Sequence, residues 1–128
     1  MKVSKALAAL TVFVGTSAYA NEPAPTGEAL YGANCSSCHQ ADGGGVPMLQ
    51  PELIEKPRAN GPKGGVIDMI LFGSASIAVS ESDYGNEMPS FAQLTDLEIA
   101  MIATYVRTHF ENNGGPVTSD DVKSRRPK

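Results

Sequence analysis

The chain has 128 residues, 10 basic against 14 acidic, a net charge of −4, two cysteines and no tryptophan. That length holds one domain at most, and two cysteines exclude both a disulfide scaffold and a four-cysteine zinc site. The acidic balance, with no basic patch carrying interleaved aromatics, excludes a nucleic-acid partner.

Met1 to Ala20 reads as a secretory signal peptide. Lys2 and Lys5 form its basic start, Ala6 to Gly15 its apolar stretch, and Ala18-Tyr19-Ala20 its cleavage site. Ten apolar residues are too few to span a bilayer, and no later segment is long enough either. The expected product is exported to the periplasm, has no membrane span after cleavage and begins at Asn21. Removing Lys2 and Lys5 from the 10 basic residues leaves 8 against 14 acidic, a net −6. Four of those eight lie in the final stretch, at Lys123, Arg125, Arg126 and Lys128.

Residues 21–25 read as a linker. Thr26 is placed to cap a helix from Gly27, with Glu28 in its positive first turn, Leu30 and Tyr31 facing inward, and Cys35 at its end. The run Cys35-Ser36-Ser37-Cys38-His39 follows. A C-x-x-C-H run is an attachment site for c-type haem. Each thiol adds to one vinyl group of the porphyrin, and one turn of backbone presents both sulfurs to one edge of the macrocycle. His39 then falls under the iron as its proximal ligand. Three other readings fit less well. A thioredoxin-like pair needs a preceding strand that is absent, a zinc site needs a fourth nearby ligand, and a disulfide closing so short a loop adds little.

Past His39, residues 42–49 form a glycine-rich loop, and Pro57 to Gly61 reads as irregular. A second helix is expected from Pro62 to Leu71, with Val66, Ile67, Ile70 and Leu71 on its apolar face and Gly73 as its stop. The pair Gly64-Gly65 weakens that helix or admits a close neighbour. Ile77 and Val79 suggest a short strand within the polar stretch Gly73 to Ser90. Thr95-Asp96-Leu97-Glu98 is a capping box, and Ile99, Ile102, Ala103, Val106 and Phe110 recur at helical spacing as far as the stop at Asn112 to Pro116. The domain is thus read as 26–116, followed by a loose charged tail, 117–128. So few aromatics make a poor core, and a buried porphyrin would supply the missing apolar mass.

The open face of a His39-bound iron decides between electron transfer and small-molecule chemistry. Met69 and Met101 sit at core positions of helices, and His109 near a negative helix end. Met48 follows His39 too closely to leave the proximal side. Met88 sits far enough downstream to wrap the porphyrin, and Pro89 extends its backbone. Met88 is therefore the expected second ligand, with an open or water-ligated site as the alternative.

The chain resembles the class I monohaem cytochromes c, bacterial electron carriers and subunits of periplasmic dehydrogenases. The likeness rests on Gly27-x-x-x-Tyr31-x-x-x-Cys35-x-x-Cys38-His39, the Pro47 loop, Tyr84-x-x-x-Met88-Pro89-x-Phe91, and Tyr105-Val106-Arg107. It implies an all-α cytochrome c fold of three main helices, its long loops wrapped around one covalently bound haem c. Gly27 and Tyr31 would lie where the first and last helices cross, with Tyr105 opposite, and the Pro47 carbonyl would accept a hydrogen bond from the His39 ring. The expected function is one-electron transfer between periplasmic redox partners, a dehydrogenase or a terminal oxidase or reductase. A fixed subunit of a larger oxidoreductase and an open-site haem enzyme such as a peroxidase are the alternatives. Glu81, Asp83 and Glu87 near Met88 read either as a solvated face or as an acidic docking rim, the only basic cluster of the body being Lys56, Arg58 and Lys63.

Overall fold

The computed structural model describes residues 23–76 and 84–128. The expected signal peptide, Ile77, Val79, Glu81 and Asp83 lie outside those residues. Among the described residues six α-helices follow in order: α1 (Gly27–Asn34), α2 (Ser36–His39), α3 (Pro57–Asn60), α4 (Lys63–Phe72), α5 (Asp96–Thr108) and α6 (Ser119–Lys123), with a 3-10 turn at Ser74–Ser76. There is no strand among the described residues, and α1, α4 and α5 are the three main helices, as expected.

Local signals set the main helix ends. The Thr26 hydroxyl accepts from Ala29 N at 3.1 Å and caps α1. At α5 both halves of the Thr95–Glu98 capping box form. Gly73 ends α4 at φ 71, a conformation that favours glycine. Helix α4 presents Val66, Ile67, Ile70 and Leu71 to the core, where they meet Ile99, Ile102 and Ala103 of α5.

Helix α1 packs against α5 at Gly27 and Tyr31. A Cβ on Gly27 would stand 2.6 Å from the Met101 carbonyl oxygen and 3.1 Å from the Tyr105 Cβ. One turn on, the Tyr31 ring lies 5.3 Å from that of Tyr105. The crossing expected from the resemblance is therefore present. Gly27→Val should force the helices apart and cost about 2 kcal/mol in chemical denaturation; an unchanged midpoint would show that the contact is dispensable.

Helix α5 stops at Thr108 instead of running through Phe110. Phe110 and Glu111 take positive φ, 55 and 62, and the Phe110 ring turns back to lie 5.3 Å from Tyr31. Gly43, at φ 73, has that ring against its α-carbon, 2.6 Å from where a Cβ would be. Phe110 thus satisfies the apolar period without belonging to the helix. The turn after α5 is held from inside. Buried Arg107 donates to the carbonyls of Gly61 (2.9 Å), Gly114 and Gly115 (3.0 Å). Buried Asn112 donates to those of Leu53 and Val106, each at 2.8 Å.

Two further expectations fail. The stretch after Lys56 is not irregular, because Pro57, fixed near helical φ at a first helical position, starts the single turn α3. The segment from Val117 is not loose. A second capping box, Thr118 with Asp121, starts α6, and Val117 and Val122 are buried, Val122 completely. Its charges pair with the body: Lys63 with Asp121 at 2.7 Å, Arg125 with Asp68, and Arg126 with Asp96 at 2.6 Å. Gly64 admits the Arg125 guanidinium, which would lie 3.1 Å from a Cβ there. The charge pattern suggested a solvated tail, but two valines and a cap dock it.

Candidate haem site

Cys35 caps the end of α1, its N–H bonded to the Tyr31 carbonyl at 2.8 Å. The chain turns at once into α2, with Cys38 N and His39 N both donating to the Cys35 carbonyl, at 3.1 and 2.9 Å. The turn is closed behind His39 by Gln40 at φ 63, whose carbonyl accepts from the Tyr31 hydroxyl at 2.6 Å. Burial pushes the Tyr31 hydroxyl well above the usual phenol range, so it donates at any physiological pH. One turn of backbone thus presents Cys35, Cys38 and His39 together, as the motif requires.

His39 is buried, and its Nδ1 lies 2.9 Å from the Pro51 carbonyl oxygen. A carbonyl can only accept, so Nδ1 carries the proton and Nε2 keeps its lone pair for a metal. The acceptor differs from the expected Pro47. Pro47 and Met48 form the tip of an exposed turn closed by Leu49 N to Val46 O at 3.0 Å, with Met48 at φ 64. Val46 and Gln50 bridge behind that tip, so Pro51 comes back under the ring. The sequence carried no signal for this: the left-handed conformation at Met48, where a glycine would have announced the turn, is what points the Pro47 carbonyl elsewhere.

Burial pushes the free Cys35 thiol up to about 11, with Cys38 adding a smaller effect. At neutral pH it is a thiol rather than a thiolate, the form poorest at exchange with its neighbour.

Cys35, Cys38 and His39 line a cavity of about 810 Å³, and so does Met88. Its apolar wall includes Leu53, Val66, Ile70, Phe91, Ile102 and Val106. Two hydrogen bonds to Ser74 hold the Met88 backbone: its N–H donates to Ser74 Oγ at 2.8 Å and its carbonyl accepts from Ser74 N at 3.0 Å. Of the other candidates, Met69 also lines the cavity from α4. Met48 is 80 % exposed at the turn tip, which removes it from the cavity. Met101 lies on the far side of α5, beside Gly27. His109 caps α5 and stacks on Tyr105 at 4.1 Å, away from the cavity. Glu87 lines the mouth as expected, but Glu52, Lys56 and Arg58 line it too, so the described rim is mixed in sign.

These residues fit a c-type haem. The cavity lies within the roughly 300–1,000 Å³ usual for cofactor sites, and its wall is apolar. Two thiols, an imidazole with a free lone pair and a thioether are the donors that haem c takes. Gln50 Oε1, buried in the same wall, has no hydrogen-bond partner in the protein, which leaves its amide for a polar edge of the cofactor.

Residues 22–106 match the family model described as cytochrome c oxidase, cbb3-type, subunit III. The chain is 38% identical over 109 residues to the fructose dehydrogenase cytochrome subunit of Gluconobacter japonicus, covering 78% of this chain but only 22% of that protein. It is 33% identical to cytochrome c-552 of Thermus thermophilus, covering 75% of this chain and 81% of the relative. With cytochrome c6 of a Picosynechococcus species the figures are 30% identity, 80% and 87%. A donor set gathered on one turn, a cavity to match it, and likeness to small cytochromes along most of their length agree: the chain belongs to the monohaem cytochrome c family, of the type of cbb3 oxidase subunit III.

Proposed function

We propose that the chain is a periplasmic one-electron carrier whose haem c is joined to Cys35 and Cys38 and ligated by His39 and Met88. Family membership implies the covalent haem c itself. The finer reading is carried by one observation: these four side chains converge on a single largely apolar cavity. When bound, haem c supplies a reversible ferric–ferrous couple. The protein supplies the surroundings. Pro51 holds His39 in one tautomer and makes Nε2 more basic. The neutral Met88 thioether favours the ferrous state, and a ligand set kept through both states keeps reorganisation small. Apolar walls exclude water and lower the local dielectric.

The redox partners fit the same chemistry. Among the relatives are cytochrome subunits of fructose dehydrogenase and of quinone alcohol dehydrogenases, which supports a dehydrogenase as electron donor. Those relatives also favour a second assembly, in which the chain stays bound as a subunit of a larger oxidoreductase. No helix among the described residues is long and apolar enough to cross a membrane. Export rests on the leader ending at Ala20.

Stepwise reduction of the purified protein should follow a one-electron Nernst curve. Hydrogen peroxide should drive no sustained dye oxidation. Turnover with peroxide would instead place the chain among open-site haem enzymes.

A further inference from the structure

The segment beyond Val117 makes contacts that solubility does not require. The Arg126 guanidinium serves a single stretch of chain. Its Nε donates to Asp96 Oδ1 at 2.6 Å, Nη1 to the Ala92 carbonyl at 2.8 Å and Nη2 to the Leu94 carbonyl at 2.6 Å. That stretch is the connection from Met88 to α5. Its other side is fastened to the end of α4, through Phe91 N to Ile70 O at 2.9 Å and Ser90 Oγ to Leu71 O at 2.5 Å. The neighbouring Arg125 binds Asp68 of α4 through Nε at 2.7 Å and through Nη2. Two consecutive arginines therefore hold both parts of the support: the helix on which the Met88 segment rests, and the return of that segment to α5.

We propose that Arg126 is a positioning residue for Met88, clamping the 92–96 connection so that the thioether stays at the cavity. The proposal rests on Met88 being the second axial ligand. Residues 84–94 contain no helix or strand, so individual hydrogen bonds, with the packing of Met88, Phe91 and Leu94 on the core, oppose their outward movement. Two of those hydrogen bonds, to Ala92 and Leu94, and a third to Asp96 at the start of α5 belong to one planar guanidinium, and hydrogen bonds with an ionised partner are the strong ones. An exogenous ligand binds only where Met88 has moved away, so its apparent affinity scales with the open fraction of the protein. Loss of the clamp raises that fraction.

The test is cyanide titration of the ferric holoprotein, read alongside the weak red-edge band of the methionine–iron bond and the denaturation midpoint. Arg126→Ala should raise cyanide affinity about tenfold, as expected for losing on the order of one strong bond's worth of closure. Arg126→Lys, a point charge that cannot serve three acceptors in a fork, should fall between it and the wild type and covers the case of an unstable Ala variant. Lys63→Ala breaks another of the tail's pairings, with Asp121, without touching residues 92–96. It should stay within about twofold of the wild type, as for an ordinary surface pair. The proposal is overturned if both Arg126 variants keep wild-type affinity, or if Lys63→Ala raises affinity as much as they do. A wild type without the band would remove the Met88 reading and the proposal with it; a wild type with the band and indifferent Arg126 variants would overturn the positioning role alone.

Discussion

Cys35→Ser combined with Cys38→Ser should yield a chain that releases its haem in acidified organic solvent and loses most of its helical signal. The reason lies in the cavity. Left dry, 810 Å³ of apolar space at about 24 cal/mol per Å³ costs more than the roughly 5–15 kcal/mol that holds a domain together. Flooding it instead wets Leu53, Val66, Ile70, Phe91, Ile102 and Val106, each worth roughly 1.5–3 kcal/mol when buried. Either way α4 and α5 lose the surface between them, and only their direct contacts and the C-terminal clasp remain. Each single cysteine change should keep one thioether and most of the fold, because the cofactor stays in place. Haem staining after denaturing electrophoresis reads attachment, and far-ultraviolet circular dichroism reads structure. A folded, haem-free double variant would contradict the claim that the cofactor completes the core.

The parts of this molecule legible in the sequence are those governed by short-range chemistry. The capping box at Thr95 and Glu98 needs only two side chains and two backbone N–H groups, and it forms as read. The thiols and imidazole of residues 35–39 are adjacent in sequence, so one helical turn gathers them whatever the rest of the chain does. Gly27, Tyr31 and Tyr105 meet because the two helices that carry them were correctly placed.

What escaped depends on where a loop turns or on contacts between distant segments. Pro47 and Pro51 are four residues apart, and only the reversal at Met48 decides which carbonyl faces His39. Phe110 matches the helical period, yet positive φ at 110 and 111 ends the helix and swings the ring over Gly43. The C-terminal segment looked like a solvated tail because its charges outnumber its valines. Its partners, Asp68, Asp96 and Lys63, lie 57, 30 and 58 residues away. Nothing in local composition announces such pairs, although Thr118 and Asp121 repeat the spacing of a cap and were the one available signal.

The ligand on the second face of the iron carries the functional reading, and its replacement should have an effect that is all or nothing. Met88→Ala removes the thioether from a backbone pinned on both sides by Ser74, so no neighbouring residue of that segment can slide in to replace it. The variant should bind carbon monoxide when ferrous and cyanide when ferric, with a lower reduction potential, because a neutral thioether favours the ferrous state. Met48→Ala should change none of this, its side chain being 80 % exposed at a turn tip. Met69→Ala is the sharper control, since Met69 shares the cavity wall. It should lower stability as a core truncation, by about 2–5 kcal/mol at most, without opening the iron. The decisive measurement is the red-edge absorption of the ferric protein at neutral pH in the wild type and these three variants. The account predicts the weak methionine–iron band in the wild type, in Met48→Ala and in Met69→Ala, and its absence in Met88→Ala. A band that survives Met88→Ala and disappears in Met69→Ala, or one absent from the wild type, would contradict it.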